Sequence, residues 1–389
     1  MNTILKHSSQ ASVARSFGGP APKGLVPTLS NSLAQRKAFY HIPYGGPDVC
    51  FGGVKHFVAL KDFSTPQVLS LVRRALEIKA FMKAESTHST PNSLPFKGKT
   101  LAMIFTKRST RTRVSAEAGW AYFGGHPMFL GKEDIQISGG EPLMDTAIVV
   151  SSMVDAILAR VGEHSEIETL AAHSTVPVIN ALTAKFHPLQ ILADLMTLYE
   201  TYLPDCLDHE GPLPLPLFKN LKVAWVGDAN NILHSLMTTL PRVGISFSVA
   251  TPKGYQPESD VVEFALKNSR GGENGDESYG EISFTTDPLV AINGADVIIT
   301  DTWVSMGQEA EKAKRLMEFA GYQITEAMAK SGHAKPNWKF MHCLPRKKEE
   351  VDDEVFYNPA RSIVFPEAEN RKYTVMSVYE MLMIRARDD

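Results

Sequence analysis

Short apolar runs alternate with longer segments of helical periodicity from about residue 57 to the end of the chain. Three runs in the first half have the length and composition of buried strands: "KTLAMIFTK" (99–107), "VDAILARV" (154–161) and "VPVINAL" (176–182). Four runs in the second half do so too: "LKVAWVGD" (221–228), "SFSVATP" (246–252), "ADVIITDTW" (295–303) and "KFMHCLP" (339–345). Repeated strand–helix alternation predicts an α/β fold with parallel sheets covered by helices.

The intervening segments carry the signals of helices. The clearest are "STRTRVSAEAGWAYFGG" (109–125), "HPLQILADLMTLYETYL" (187–203), "NNILHSLMTTLPRVG" (230–244) and "YTVMSVYEMLMIRAR" (373–387). In the first of these, Val114, Ala118 and Tyr122 recur on one face, which we expect to be buried. Gly124 and Gly125 are expected to end that helix.

A Pro-rich connector, "EGPLPLPLFKN" (210–220), separates the two halves and is typical of a domain boundary. We therefore expect two α/β domains, covering residues 57–200 and 204–372. The polar, Gly-rich segment "NSRGGENGDESYG" (268–280) offers nothing to a core, so we expect it to be exposed and mobile.

Residues 1–47 differ from the rest of the chain. They contain five basic residues and many serines, and no Asp or Glu precedes Asp48. This composition, without the apolar core of a secretory signal, is typical of a mitochondrial transit peptide. A disordered basic tail is the alternative.

The overall composition is that of an ordinary globular protein, with 389 residues, 43% hydrophobic and 21% charged. No apolar run reaches the ~20 residues of a membrane-spanning helix. Three cysteines without disulfide or metal spacing favour a reducing compartment. The net charge of -3 argues against general nucleic-acid binding, although a local basic patch can still bind an anion.

Such a patch lies where the first predicted strand meets its helix. "TKRSTRTRVSAEAG" (106–119) places four basic side chains among several hydroxyl groups. Ser109 falls at the helix start, so free backbone N–H groups and the positive end of the helix dipole converge there with Arg111. The turn predicts a phosphate site, with a simple Ser109 cap beside solvated arginines as the alternative. The Walker pattern of a P-loop is absent from the sequence.

Polar residues also open two of the other predicted helices. "FHPLQ" places His187 and Gln190 at a helix start, where His187 either contacts a ligand or is a satisfied capping residue. Asn230 and Asn231 stand at the next helix start, again as ligand contacts or as caps. The turn before them lacks G-x-G-x-x-G, which disfavours a dinucleotide.

The last apolar strands end in chemically active residues. Asp301 follows one of them, in the position where open α/β sheets bind ligands. "FMHCLPRK" places His342, Cys343 and Arg346 at the end of another. His342 and Cys343 alone are too few ligands for zinc. Cys343 is either a buried structural thiol or a substrate contact. Arg371 comes just before the last predicted helix.

Five short motifs occur in one order along the chain: "STRTR" (109–113), "HPLQ" (187–190), "DTWVSMG" (301–307), "HCLP" (342–345) and "AENR" (368–371). With them the chain resembles the ornithine carbamoyltransferases from about Phe57 almost to its C-terminus. "S-T-R-T" and "H-P-x-Q" are common to carbamoyltransferases, whereas "S-M-G" and "H-C-L-P" favour ornithine over aspartate. The resemblance implies transfer of a carbamoyl group from carbamoyl phosphate to L-ornithine, giving L-citrulline in arginine biosynthesis. The leader adds a mitochondrial matrix location.

The resemblance also implies an active site in the cleft between the domains. Residues 57–200 would bind carbamoyl phosphate, with the last helix (373–387) packing back on them, and residues 204–372 would bind ornithine. The side chains expected at carbamoyl phosphate are Ser109, Thr110, Arg111, Thr112, Arg160, His187, Gln190 and Arg371, with Gln136 from the next subunit of a homotrimer. Those expected at ornithine are Asn231, Asp301, Ser305, Met306, Cys343 and Leu344. Arg111, His187, Asp301 and Cys343 are the expected catalytic residues, and neither metal nor cofactor is implied.

Two other interpretations differ in what the site binds. One is a carbamoyltransferase for another acceptor, such as putrescine or aspartate. The other is a non-catalytic binder of nucleic acid, which needs lysines and aromatic side chains spread over a face. The basic cluster here is confined to one turn, which disfavours the second interpretation.

Overall fold

A computed structural model describes residues 50–384, apart from 85–93, 134, 136–139, 208–212, 214–219 and 305–308. The predicted leader and most of the Pro-rich connector lie outside these residues. Within them the strands form two parallel sheets, as the alternation of strands and helices predicts. In this part of the chain, no helix combines the length and the apolarity needed to cross a bilayer.

The first sheet has the strand order β2-β1-β3-β4. Its strands are β1 (Thr100–Phe105), β2 (His126–Gly131), β3 (Ala156–Arg160) and β4 (Val178–Leu182). The helices of this half are α1 (Thr65–Ala84), α2 (Thr110–Tyr122), α3 (Leu143–Ser151), α4 (His164–His173) and α5 (Pro188–Tyr202). β1 is central and almost wholly buried because its side chains are apolar on both faces.

The second sheet has the order β7-β6-β5-β8-β9. Its strands are β5 (Lys222–Val226), β6 (Ser246–Ala250), β7 (Ile282–Thr285), β8 (Val297–Ile299) and β9 (Lys339–Met341). Its helices are α6 (Asn231–Met237), α7 (Ser259–Lys267), α8 (Pro288–Ile292), α9 (Lys312–Glu318), α10 (Glu326–Ser331) and α11 (Asp353–Phe356). All seven strands predicted from apolar runs are confirmed; β2 and β7, two edge strands, were not singled out.

The polar segment 268–280 forms turns that lead into β7, with six of its thirteen residues exposed, five partly exposed and two buried. Its ends are tied together, because Arg270 N donates to Gly280 O at 2.9 Å and the Arg270 guanidinium donates to Tyr279 O at 2.9 Å. Gly280 N in turn donates to Pro241 O at 2.7 Å. The predicted exposure is therefore confirmed for six residues of the segment and wrong for the buried Ser269 and Gly280, while its mobility stays a prediction.

The last helix, α12, spans Val364–Met383 and returns to the first half of the chain. A buried ion pair at 2.6 Å joins Glu380 on α12 to Arg74 on α1. The prediction that this helix begins at Tyr373 was wrong, since it begins at Val364. Pro366 does not prevent this earlier start, because proline is tolerated in the first turn of a helix. Arg371 therefore lies within the helix and not before it.

Helix α2 buries a different face from the one predicted. Val114 is 60% exposed and Ala118 is exposed, whereas the buried residues include Ser115, Ala116 and Gly119. A Cβ on Gly119 would lie 2.8 Å from a carbon of Met376 on α12. The small side chains let α12 approach closely, so shape and not hydrophobicity selects the buried face of α2.

Candidate active site

A cleft of about 880 Å³ opens where the carboxyl ends of the two parallel sheets face each other. Its walls come from the segments that follow β1, β3 and β4 in the first sheet and β5, β8 and β9 in the second. Ligands of open α/β sheets bind outside the carboxyl ends of the strands. The cleft is thus the place where this fold offers a binding site.

The basic turn after β1 lines one wall of the cleft through Ser109, Thr110, Arg111 and Thr112. Ser109 is the N-cap of α2, and its hydroxyl accepts a hydrogen bond from Thr112 N at 3.3 Å. The capping alternative is therefore correct for the Ser109 hydroxyl. Capping does not account for the other residues of the turn, because Arg111 lines the cleft and Thr112 is buried in its wall.

Two further guanidinium groups converge on this wall. Arg160 ends β3, and Arg371 projects from α12 to donate to Gln190 Oε1 at 2.6 Å and Thr112 Oγ1 at 3.3 Å. The Nε atoms of Arg160 and Arg371 are buried and have no hydrogen-bond partner among the residues that the structure describes. Burial lowers the pKa of each to about 10, and repulsion from Arg111 adds to this. We call Arg111, Arg160 and Arg371 the arginine cluster.

His187 lies beside the arginine cluster, immediately before α5. Its backbone N–H donates to Ser235 Oγ at 2.9 Å, its side chain makes no capping hydrogen bond, and its buried Nδ1 has no partner within the described part of the chain. The capping alternative is thus wrong for this side chain. Burial, together with the three arginines, lowers its pKa well below the usual range, so the imidazole is neutral at pH 7.

Gln190 lies one helical turn after His187, and both the oxygen and the nitrogen of its side-chain amide are hydrogen-bonded. Its oxygen accepts from Arg371, while its Nε2 lies 2.8 Å from Asp194 Oδ1 and 2.8 Å from Glu367 Oε1. Neither carboxyl group was among the residues predicted for the site. The spacing of Gln190 and Asp194, four residues apart on one helix, is a signal in the sequence that would have identified Asp194.

The opposite wall is built around Asp301, two residues beyond β8. Its carboxylate accepts from Cys343 Sγ at 3.1 Å and from Asn230 Nδ2 at 2.7 Å. Asn230 also caps α6 through Ile232 N, so it is a cap and a positioning residue at once. Asn231 lines the cleft as well, and its Nδ2 donates to Thr183 O at 2.6 Å.

Cys343 and Leu344 line the cleft beyond the end of β9. Burial and the neighbouring Asp301 carboxylate raise the pKa of Cys343 well above its usual range, so the group is a thiol that donates to Asp301. One ligand atom each from Asp301, His342 and Cys343 lies within 4.8 Å of the others. Both His342 ring nitrogens are already engaged, by Leu344 N at 2.9 Å and Glu350 Oε1 at 3.3 Å.

An ion pair that the sequence analysis missed also borders the cleft. Arg315 on α9 donates to Asp228 Oδ2 at 2.8 Å and to Trp303 O at 2.9 Å. Its guanidinium carbon lies 4.9 Å from the centre of the Tyr255 ring. Nothing in the sequence linked residues this far apart, because only the fold brings α9 to the end of β5.

Three predicted site residues, Gln136, Ser305 and Met306, lie outside the described residues. Arg346 does not line the cleft; it pairs with Asp353 and stacks on Phe356. The other predicted site residues, from both halves of the chain, line the cleft or its immediate wall. The structure brings together those listed here: Ser109, Thr110, Arg111, Thr112, Arg160, His187, Gln190, Asn231, Asp301, Cys343, Leu344 and Arg371.

Comparison with known proteins agrees with this division into two walls. The family model described as "Aspartate/ornithine carbamoyltransferase, carbamoyl-P binding domain" matches residues 55–200, and its "Asp/Orn binding domain" counterpart matches residues 219–382. The mitochondrial ornithine carbamoyltransferase of Coccidioides immitis is 50% identical, over 85% of this chain and 93% of its own length. The mitochondrial ornithine transcarbamylase of Gallus gallus is 46% identical, over 91% and 92%.

Solved structures give the same result. A crystal structure of the Coccidioides immitis mitochondrial enzyme has a TM-score of 0.75 and 46% identity, covering 86% of this chain and 99% of that one. The ornithine carbamoyltransferase from Pyrococcus furiosus has a TM-score of 0.75 and 40% identity, covering 86% and 98%. On the strength of both family models and of these relatives, the chain belongs to the ornithine carbamoyltransferase family.

Proposed function

We propose that the arginine cluster and His187 hold carbamoyl phosphate, while Asp301 and its neighbours hold L-ornithine across the cleft. The reaction is transfer of the carbamoyl group of carbamoyl phosphate to the δ-amine of L-ornithine, which gives L-citrulline and phosphate. The division of roles between the walls follows from their charges. One wall is cationic, and the other carries the carboxylate of Asp301.

The observation that carries the assignment is clustered positive charge without a direct ion pair. The hydrogen bonds described for Arg371 in the cleft go to neutral oxygens, and buried nitrogens of Arg160, His187 and Arg371 have no hydrogen-bond partner among the described residues. Leaving such groups buried and unsatisfied is costly. A dianionic phosphate with an adjacent carbonyl oxygen supplies both the negative charge and the acceptors that these donors lack.

The proposed chemistry needs donors where negative charge develops. The δ-amine attacks the carbamoyl carbon, charge builds on the carbonyl oxygen, and the bond from carbon to the phosphate oxygen breaks. Arg111, Thr112, Arg160 and His187 are fixed donors for the oxygen and the departing phosphate, and each such donor is worth ~3 kcal/mol. The amine proton passes to the departing phosphate, because Cys343 is already a protonated thiol.

Ornithine recognition is assigned to the wall built around Asp301, which we call the second wall; the wall that carries the arginine cluster is the first. Asp301 provides the counter-charge for the α-ammonium group, and the side chain of Asn231 lies nearby for the amino-acid end. We assign Ser305 and Met306 to the same end, and Cys343 and Leu344 to the reacting amine. Putrescine lacks the α-carboxylate, and aspartate lacks the terminal amine, so neither fits both demands.

Citrulline formation by the purified chain tests the assignment directly. We expect turnover with L-ornithine and turnover at least ~100-fold slower with putrescine or aspartate, a discrimination typical of unpaired polar groups in a site. Norvaline keeps the amino-acid end but lacks the amine, so it should compete with ornithine, and more strongly once carbamoyl phosphate is bound. Comparable turnover of putrescine and ornithine would rule out the proposed reading of the second wall.

We also propose a homotrimer in which Gln136 of one subunit completes the site of the next. Support comes from exposed apolar side chains on the elements that flank residue 136, which is itself outside the described residues. These are Val114, Met128, Met144, Ile148, Val149 and Met153, each 40–68% exposed. Exposed apolar side chains in such numbers mark interaction surfaces. A ring with head-to-tail contacts covers them on every subunit.

Mixed rings test the shared site. Arg111→Gly and Gln136→Arg should each be inactive alone, yet every mixed ring has one junction where an intact Arg111 meets an intact Gln136. With equal mixing about a quarter of the parent activity should return. Arg111→Gly mixed with Arg160→Gly is the matched control, and it should restore nothing because both residues belong to one pocket of one chain. Recovery in the control, or none in the test pair, contradicts the shared site.

The mitochondrial matrix is the compartment we propose, and residues 1–47 are the proposed address. Relatives from a fungus and a bird are named mitochondrial, and the first 47 residues carry basic but no acidic side chains. Import of a reporter fused to residues 1–47 into isolated mitochondria tests this, with protection from added protease as the expected result.

We keep residues 57–200 and 204–372 as the two proposed domains, with the last helix packing on the first domain.

A further inference from the structure

Two carboxyl groups lie buried side by side beneath the cleft. Asp194 on α5 and Glu367 in the first turn of α12 are each 2% exposed, and one oxygen of each lies 2.8 Å from the same atom, Gln190 Nε2. No step of the reaction uses either group directly. Two buried carboxylates this close repel each other, which favours retention of one proton by the pair.

The pair holds the Gln190 amide in one orientation. Gln190 Nε2 lies 2.8 Å from an oxygen of each carboxyl group, and Gln190 Oε1 lies 2.6 Å from Arg371 Nη1. With the amide reversed, its oxygen would face two carboxyl groups and its NH₂ would face a guanidinium. Each of those contacts would lose a hydrogen bond inside the protein. The surroundings of Gln190 thus fix its oxygen on the side of the arginine cluster.

Glu367 also reaches the opposite wall. Its second oxygen accepts a hydrogen bond from His342 N at 3.1 Å, at the end of β9, next to Cys343 and Leu344. One carboxyl group therefore connects Gln190 on the first wall with the backbone of the second. The groups around the pair that carry charge or titrate are Arg371, Asp301 and Cys343.

We propose that Asp194 and Glu367 share one proton and act as a positioning pair, which holds Gln190 and the His342–Leu344 backbone in register around the carbamoyl group. The proposal rests on the assignment of the cleft to carbamoyl phosphate. Burial raises the pKa of both carboxyl groups, and repulsion from Asp194 raises that of Glu367 further, which agrees with a retained proton at neutral pH.

Amide substitutions separate the two partners. In Asp194→Asn the amide oxygen accepts from Gln190 and the NH₂ donates to an ionised Glu367, so the hydrogen bonds and the total charge of the pair are kept. In Glu367→Gln one of the two carboxyl oxygens becomes an NH₂ group, which then faces either Gln190 Nε2 or His342 N. Because both of these atoms are donors, one of the two hydrogen bonds is lost. Isosteric changes at the two positions should thus have unequal effects.

Steady-state kinetics of citrulline formation give the readout. We expect Glu367→Gln to lower kcat/KM for carbamoyl phosphate by about 100-fold, as a misplaced binding group does. Asp194→Ala should lower it by about 30-fold, and Asp194→Asn should recover to within about fivefold of the parent protein. The KM for ornithine at saturating carbamoyl phosphate should change less than about threefold, because Asp301 and Asn231 are untouched.

Glu380→Gln is the matched control, since Glu380 is another buried carboxylate of α12 and pairs with Arg74 away from the cleft. It should lower the melting temperature while leaving kcat/KM per folded molecule near that of the parent. If Glu380→Gln instead lowers kcat/KM for carbamoyl phosphate as much as Glu367→Gln, the positioning role is overturned. So is it if Asp194→Asn is as damaging as Asp194→Ala.

Infrared spectroscopy tests the proton without relying on the kinetics of any variant. The parent protein at neutral pH should have a carboxylic-acid C=O band that is lost in Asp194→Asn. Absence of that band from the parent, or its persistence in Asp194→Asn, overturns the shared proton even where Glu367→Gln fails to fold. A parent protein that forms no citrulline would instead contradict the proposed function, so the two failures are distinguishable.

Discussion

The two walls of the cleft differ in how their buried arginine side chains are paired. On the second wall, Arg315 is neutralised by Asp228 at 2.8 Å and also contacts Glu311 at 3.1 Å. On the first wall, Arg371 bonds only neutral oxygens of Gln190 and Thr112 among the described hydrogen bonds. Both guanidinium groups are less than 10% exposed. They differ in whether a carboxylate of the described residues pairs directly with the guanidinium group.

This difference separates scaffold from binding site. A buried ion pair is complete within the protein, and breaking it leaves an uncompensated charge. A buried cation without a direct carboxylate partner keeps donors available for an anion, and the protein bears its desolvation cost in the free state. Direct ion pairing, and not burial or proximity to the cleft, therefore distinguishes Arg315 from Arg160 and Arg371 among the described residues.

The largest expected effect is on stability. Arg315→Met should lower the free energy of unfolding by about 3–5 kcal/mol, because it leaves Asp228 buried without its cation. Arg160→Met removes a cation that has no acid, so its cost should stay below about 1 kcal/mol. Urea unfolding of both variants without phosphate measures the contrast. Equal losses would mean that the two walls do not differ in charge compensation.

Next in size is the effect of Arg111→Lys on catalysis. If the guanidinium fork of Arg111 binds the phosphate, a lysine point charge cannot replace it, and kcat should fall by about 100-fold, while unfolding is unchanged. Arg270→Lys, in the exposed segment 268–280, is the control and should keep parent activity. Near-normal turnover by Arg111→Lys would remove this residue from the phosphate site.

The smallest effect concerns the pH dependence of stability. His187 stays neutral in the folded chain because burial and the arginine cluster lower its pKa, whereas the unfolded chain binds a proton below about pH 6.5. Stability should therefore fall as the pH drops below that value, with His187 contributing up to about 1.4 kcal/mol per pH unit.

Replacing His187 isolates this contribution. His187→Gln should unfold with a shallower loss of stability between pH 7 and 5.5 than the parent protein. His126→Gln, at an exposed position, is the control and should keep the parent slope. An unchanged slope in His187→Gln would contradict a neutral His187 beside the arginine cluster.

Apolar runs were sufficient to predict the buried strands, because a strand covered on both faces has few polar residues. They missed β2 and β7, which lie at sheet edges and carry half-exposed, mixed side chains. The face of α2 was predicted from hydrophobicity alone, yet the close approach of α12 to Gly119 decides it. Such contacts between distant segments are not encoded in local periodicity.

The same limit applies to the site. Motifs located Arg111, His187 and Asp301, because each stands at a strand end or helix start where the fold exposes it to a ligand. No motif singled out Glu367, whose proposed role depends on Gln190, 177 positions away. Residues that support others through the fold therefore escape prediction, as do cleft-lining residues such as Arg315 that stand in no motif.

The position of Arg371 on α12 has a consequence for biosynthesis. The ribosome adds Arg371 after 370 of the 389 residues, long after Arg111, Arg160 and His187 have emerged. An incomplete chain thus has the first part of the cationic pocket but neither Arg371 nor the helix that carries it. On the proposed assignment of the site, substrate binding of full strength is reached only when translation is nearly finished, so truncated products should have little capacity to sequester carbamoyl phosphate.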